Sequence, residues 1–132
     1  MVCPTKYRRD VFTVEVENTL KQVCLSISER FEIRYVEIGS DEDHVHFLIQ
    51  SVPTMQPDKI VRITKSITAR EIFVKHREVK QKLWGGHFWT SGYYMNTVGQ
   101  YGNETVIREY VKKQGGRYRQ VYRGQLELFD RI

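Results

Sequence analysis

The sequence predicts an α+β fold: an antiparallel sheet with helices packed on it and one further helix towards the C-terminus. Three observations carry that prediction. Apolar residues recur at a helical period in two separate stretches, with runs rich in β-branched and aromatic residues between and after them. Two of those runs, 31–38 and 44–51, are separated only by a turn-like segment at 39–43, the arrangement of a hairpin. The chain has 132 residues, 40% of them hydrophobic, and shows no repeat or low-complexity linker, so it holds one core rather than several.

Each element has its own signal. Asp10 or Thr13 can cap a first helix, in which Val16, Leu20, Val23, Cys24 and Ile27 form one apolar stripe. Residues 31–38 read as a strand, 39–43 as a turn, and His44–Ser51 as a second, alternating strand. Pro53 and Pro57 mark the exit to a second helix over 58–74, with Ile60, Ile63, Ile67 and Val74 expected on its buried side. Residues 75–82 are a charged stretch leading to Leu83-Trp84-Gly85-Gly86, and 87–98 have strand character, interrupted near Ser91-Gly92. Asn103 can cap a last helix that runs to Gln114 and is stopped by Gly115-Gly116. Glu104 in its first turn and Lys112 and Lys113 in its last suit the helix dipole. The expected division is a domain over 1–116 and a basic, then mixed, C-terminal tail over 117–132. The order strand, helix, strand, strand, helix, strand, helix is that of a ferredoxin-like or RNA-recognition-like sheet with one extra helix. Such sheets serve many functions, so function has to be argued from a site.

Composition narrows the field. The net charge of +5 and a pI of about 9.3 fit a polyanionic partner, since neutralising phosphates releases condensed counterions. No stretch reaches the length of a membrane span. Met1 to Pro4 lead straight into the charged Lys6-Tyr7-Arg8-Arg9, which is not a signal-peptide pattern. Cys3 and Cys24 form no motif with each other or with a histidine, and read as reduced thiols of a cytosolic protein.

Two groups of residues carry chemistry. Residues two apart on a strand share a face, so His44 and His46 project together, about 6–7 Å apart along the strand, while Val45, Phe47 and Ile49 face the core. Two such imidazoles can converge on one ion, or they can be ordinary surface histidines of a half-exposed strand. Asp41, Glu42 and Asp43 can orient a histidine ring from the turn, or stand there as solvated turn residues. In the last helix Val106, Tyr110 and Gln114 lie four apart on one face. Tyr110 can be a core aromatic there, but an amide on the same face needs a partner. Two imidazoles and one amide oxygen leave open positions that Mg²⁺ or Mn²⁺ fills with water and phosphate oxygens. A closed zinc site would want a fourth protein ligand.

Taken together the motifs resemble a known family. Asp43-His44-Val45-His46-Phe47-Leu48 resembles the His-hydrophobic-His motif of the HUH nucleases. Tyr110-Val111-Lys112-Lys113-Gln114 resembles the Tyr-x-x-x-Gln helix of the small single-tyrosine transposases of bacterial and archaeal insertion sequences. Thr5-Lys6-Tyr7-Arg8-Arg9, and Lys82-Leu83-Trp84-Gly85-Gly86 running on to Trp89 and Thr97-Val98, match the same family's order and spacing, so the resemblance spans about residues 3–116. It departs in one place. Only Met1 to Pro4 precede the Lys-Tyr-Arg-Arg stretch where family members have several more strand residues, which implies a short first strand or a late start.

The resemblance implies an enzyme that cleaves and rejoins single-stranded DNA. His44, His46 and Gln114 would hold Mg²⁺ or Mn²⁺, and Tyr110 would attack to form a 5′-phosphotyrosine. It further implies a homodimer acting on hairpin-bearing element ends, with the tyrosine helix of one subunit able to complete the other's metal site, in a bacterial or archaeal cytoplasm. Expected DNA contacts are Lys6, Arg8 and Arg9 in one cluster and Lys112, Lys113, Arg117, Arg119 and Arg123 in another. Tyr118 and Tyr122 interleave the second cluster as stacking platforms, with a solvated basic tail as the plain alternative. Gln125-Leu126-Glu127-Leu128-Phe129 resembles the peptide with which many bacterial proteins grip the replication sliding clamp, with glutamate where serine or aspartate is usual; a terminal segment packing on the domain is the alternative.

Rival functions differ in what they need. A non-catalytic nucleic-acid-binding module would need no metal and form no adduct. A relaxase would place its tyrosine near the N-terminus, a rolling-circle initiator would add a larger domain, and a two-histidine phosphoesterase would need a second His-x-Ser/Thr motif.

Overall fold

The computed structural model describes residues 1–4, 12–41, 44–51, 54–83, 87–95, 109, 111–113 and 118–124. Its first helix follows directly from its cap and stripe. Thr13 accepts a hydrogen bond from the Val16 amide (3.2 Å) and opens α1, Val14–Arg30. Glu15 and Glu17 in the first turn and Arg30 in the last complement the helix dipole. The buried residues of α1 are Val16, Leu20, Val23, Cys24 and Ile27, the expected stripe.

Among the described residues four strands form one antiparallel sheet: β1 (Val2–Pro4), β2 (Ile33–Ser40), β3 (His44–Ser51) and β4 (Arg119–Arg123), in the spatial order β1-β3-β2-β4. Both β1 and β2 run antiparallel to β3, so they are parallel to each other with β3 between them and α1 as the crossover. That is the split βαβ unit of a ferredoxin-like fold, and the α+β expectation is met. Among the described residues no helix is long and apolar enough to cross a membrane.

One face of the sheet carries the core. Tyr35, Ile38, Val45 and Phe47 meet the α1 stripe and Ile60, Val61 and Ile72 of α2 (Pro57–Lys75). A short α3, Arg77–Lys82, adds Val79; Leu83, Phe88 and Trp89 close the end, with Phe88 edge-on to Phe12, Phe73 and Trp89.

The buried side of α2 differs from the expected one. Ile63 and Ile67 are half-buried and Val74 is exposed, while Thr64 and Thr68 are fully buried. Two aromatic rings with polar tips explain the rotation. The Tyr35 hydroxyl bonds to Thr64 Oγ1 (2.6 Å), and Trp89 Nε1 donates to Thr68 Oγ1 (3.0 Å), which in turn donates to the Thr64 carbonyl (2.6 Å). A buried hydroxyl or indole N–H needs a partner, and threonines supply it where isoleucines cannot.

Three further expectations are corrected. The charged stretch at 75–82 contains α3, with Val79 turned inward. Over the described part of 87–98 there is no continuous strand, only single-residue bridges at Trp89 and Tyr94. The carbonyls there go elsewhere: Lys65 Nζ donates to Thr90 (2.6 Å) and lies 3.4 Å from that of Gly92. Residues 119–123, expected as part of a basic tail, form β4. They satisfy the outer edge of β2 and pack Val121 and Tyr122 against the core, with Arg119, Gln120 and Arg123 exposed.

Candidate functional site

The opposite face of the sheet carries the polar groups, and a β-bulge decides which ones. Tyr35 pairs with Ile49 and Glu37 with Leu48, so Val36 and Glu37 together oppose one residue of β3. Strict alternation would put Tyr35 and Ile38 on opposite faces. The extra residue brings both onto the core face and turns Val36 and Glu37 to the other side. There Val36 and Leu48 make a small apolar patch beside His44 and His46.

The histidine pair projects together as its spacing requires. The two ring centroids are 4.7 Å apart and meet edge-on, with His44 half-buried and His46 buried. At the hairpin turn the Asp41 amide donates to the His44 carbonyl (2.9 Å), which brings the Asp41 carboxylate 3.5 Å from His44 Nε2. One ligand atom from each of Asp41, His44 and His46 falls within 4.8 Å of the others. Burial, and then the neighbouring His44 ring, push the His46 pKa down to about 4. His46 is thus a neutral imidazole at ordinary pH, the form that ligates a cation. Two imidazoles and a carboxylate suit a divalent ion, so the donor set fits the expected metal.

Sequence reasoning placed Asp41 as a turn residue or an orienting group. That its carboxylate comes within reach of both imidazoles depends on how tightly the hairpin closes, which spacing in the sequence does not give.

A second cluster abuts His46. The Tyr118 ring lies 5.5 Å from the His46 ring, centroid to centroid, and its hydroxyl donates to Glu37 Oε2 (2.6 Å). Glu37 is fully buried and also accepts from Arg123 Nε at 2.8 Å. The ring crosses Gly39, where a Cβ would fall inside it; glycine is required there for close approach. Tyr118 and Arg123, expected as DNA contacts, both hydrogen-bond to the buried carboxylate.

The helix expected to carry the tyrosine is described at Glu109 and at Val111–Lys112, both helical, with the Lys113 amide bonded back to the Glu109 carbonyl (3.2 Å). Val111 packs on Val36 and Leu48. This turn therefore docks on the face that bears the histidines. Tyr110 and Gln114 lie outside the described residues, as do Lys6, Arg8, Arg9, Arg117 and the segment 125–129. Lys112 and Lys113 are exposed. Arg119 is turned to Glu17, 3.2 Å from its carboxylate, which also accepts from Ser40, and Tyr122 packs towards the core with Lys21 Nζ 6.0 Å above its ring.

The chain is similar to known proteins. The family model described as "Transposase IS200 like" matches residues 1–114. The ISDra2 transposase TnpA of Deinococcus radiodurans is 31% identical over 109 residues, covering 83% of this chain and 77% of that protein. The transposase for insertion sequence element IS200 of Salmonella typhimurium is 28% identical over 114 residues, covering 86% of this chain and 74% of that one. A crystal structure of a transposase from Deinococcus radiodurans R1 superposes with a TM-score of 0.68 at 29% identity, covering 86% of each chain. The histidine-bearing sheet, the helix docked beside it and these matches lead to one conclusion: the chain belongs to the IS200-like transposase family.

Proposed function

We propose that this transposase cleaves and rejoins single-stranded DNA through Tyr110, with a divalent ion held by His44, His46 and Gln114. The observation that carries the reading is the docking of Val111 on Val36 and Leu48, because Val111, the residue after Tyr110 in the sequence, is thereby seated on the histidine face. The position of Asp41 favours adding its carboxylate to the ligand set.

The chemistry follows from the residues. The Tyr110 oxygen attacks a phosphodiester phosphorus and the bond to the 3′-oxygen breaks. The strand leaves with a 3′-hydroxyl, and the 5′-phosphate stays on the tyrosine. One phosphoester replaces another, so attack by a 3′-hydroxyl rejoins the strand without ATP. A tyrosine near its ordinary pKa of about 10 is a poor nucleophile at neutral pH. When bound, Mg²⁺ or Mn²⁺ supplies Lewis-acid polarisation of the phosphate. Neutral His46 and the Asp41–His44 pair hold the donors in place for it. The family further supports a homodimer working on hairpin-bearing element ends, with a tyrosine helix able to serve the partner's site.

The test is an adduct assay. Labelled single-stranded DNA with Mn²⁺ should yield a protein–DNA species that survives a denaturing gel, and Tyr110→Phe should abolish it. Adduct from Tyr110→Phe would assign the nucleophile elsewhere, and equal cutting of duplex would refute the single-strand preference.

A further inference from the structure

We infer that Tyr118 is a positioning residue for the histidine pair: its ring braces His46, and the docking of β4 thereby sets the direction in which that imidazole can meet an ion. The inference rests on the metal reading above and adds a residue beyond the reach of the family match, which ends at 114.

Three independent contacts define the brace. The Tyr118 ring stands 5.5 Å from the His46 ring at 60°. Gly39, directly opposite His46 in the β2–β3 register, leaves the space that the ring occupies. The hydroxyl is committed to Glu37, which suits bracing rather than attack on DNA. Glu37 is the anchor. A carboxylate with no exposed surface is tolerated only where it is paired and hydrogen-bonded, and its hydrogen-bonding partners among the described residues, Tyr118 and Arg123, come from β4 or the residue before it. The bulge at Val36 is what presents Glu37 on this face at all. Metal-binding imidazoles need a neighbour that fixes ring orientation, and loss of such neighbours weakens metal affinity by about 10–100-fold. Here an aromatic wall tied to a buried carboxylate fills that role.

The alternative is that β4 merely covers the edge of β2. Mn²⁺ titration of the full chain, by calorimetry and by the electron paramagnetic resonance signal of the bound ion, separates the two. Tyr118→Ala should weaken Mn²⁺ binding by about tenfold or more and alter the bound-ion spectrum. Gly39→Ala, which displaces the ring but keeps every donor, should do the same. Tyr118→Phe keeps the wall and should restore affinity to near the parent value. Val79→Ala, in the core on α3 and not on β4, should lower the unfolding midpoint without changing Mn²⁺ affinity. Tyr118→Ala that stays folded and binds Mn²⁺ as the parent does would overturn the inference. Should that variant not fold, Tyr118→Leu, which keeps bulk without a planar ring, is judged by the same criterion. A parent chain that binds no Mn²⁺ would overturn the metal reading itself, a distinguishable result.

Discussion

The two faces of this sheet are built from the same strands and obey different rules. On the helix-covered face, β2 and β3 present Ile33, Tyr35, Ile38, Val45 and Phe47, all at most 3% exposed and all in one cluster with α1 and α2. On the other, the same strands present Glu37, His44 and His46 around a small apolar patch of Val36 and Leu48. Burial is nearly as complete there, since Glu37 and His46 have almost no exposed surface. Their neighbours differ: an ion pair, a tyrosine ring and a second imidazole in place of aliphatic contacts. Burial on the first face supports the fold. On the second it leaves His46 a neutral imidazole and holds the polar groups in defined directions.

Substitutions should separate these roles cleanly. The largest effect is expected for Phe47→Ala, which removes a fully buried ring packed against Tyr35 and Trp89. It should lower unfolding free energy by about 3–5 kcal/mol, read by urea denaturation. The folded fraction should keep its Mn²⁺ affinity, because Phe47 lies on the sheet face opposite the proposed ion site. His44→Ala should do the reverse. Removing one of the proposed ligands is expected to weaken Mn²⁺ binding by about 100-fold, or about 2.7 kcal/mol. Its half-buried position should keep the stability change within about 1 kcal/mol. If instead both variants lost affinity and stability in parallel, the two faces would not be separable and the comparison would break.

What the sequence made legible follows the same line. Elements whose periodicity and punctuation agree were readable: α1 with its Thr13 cap and five-residue stripe, the hairpin of β2 and β3, and the shared face of His44 and His46. Features set by tertiary partners were not. The bulge at Val36 shifts a face by one residue and leaves no local mark, so the side to which Glu37 points could not be read from alternation. β4 was hidden because three of its five residues, Arg119, Gln120 and Arg123, face solvent, and it became a strand only because β2 offers an edge. On α2 the periodicity favoured Ile63 and Ile67, and the hydrogen-bonding needs of Tyr35 and Trp89 selected Thr64 and Thr68 instead. Asp41 depended on how closely the hairpin turn brings a carboxylate to His44.

That polar seam within the core face gives a smaller prediction. Thr68→Val keeps shape but removes the acceptor of Trp89 Nε1, leaving a buried N–H without its partner. A loss of about 1–3 kcal/mol is expected, measured by urea midpoint, with adduct formation unchanged. A neutral result would mean that the indole finds another acceptor and that this seam does not set the rotation of α2.

The smallest perturbation probes the core face without altering it. Cys3 and Cys24 are reduced and fully buried on that side. Burial pushes the Cys3 thiol up to about 11, and burial together with the neighbouring Cys3 pushes Cys24 up further still. Only a thiolate reacts with iodoacetamide or an aromatic disulfide, so the folded chain should resist labelling at pH 8. The sign of the linkage follows from the same shift. Above the ordinary thiol value the unfolded chain loses protons that the native one keeps, so stability should fall as pH rises towards 11. At pH 8 the labelling rate should then report transient opening. Phe47→Ala should accelerate it and His44→Ala should leave it unchanged. Rapid labelling of the parent chain at pH 8, with no accompanying unfolding, would show that the core face is open where its packing says it is closed.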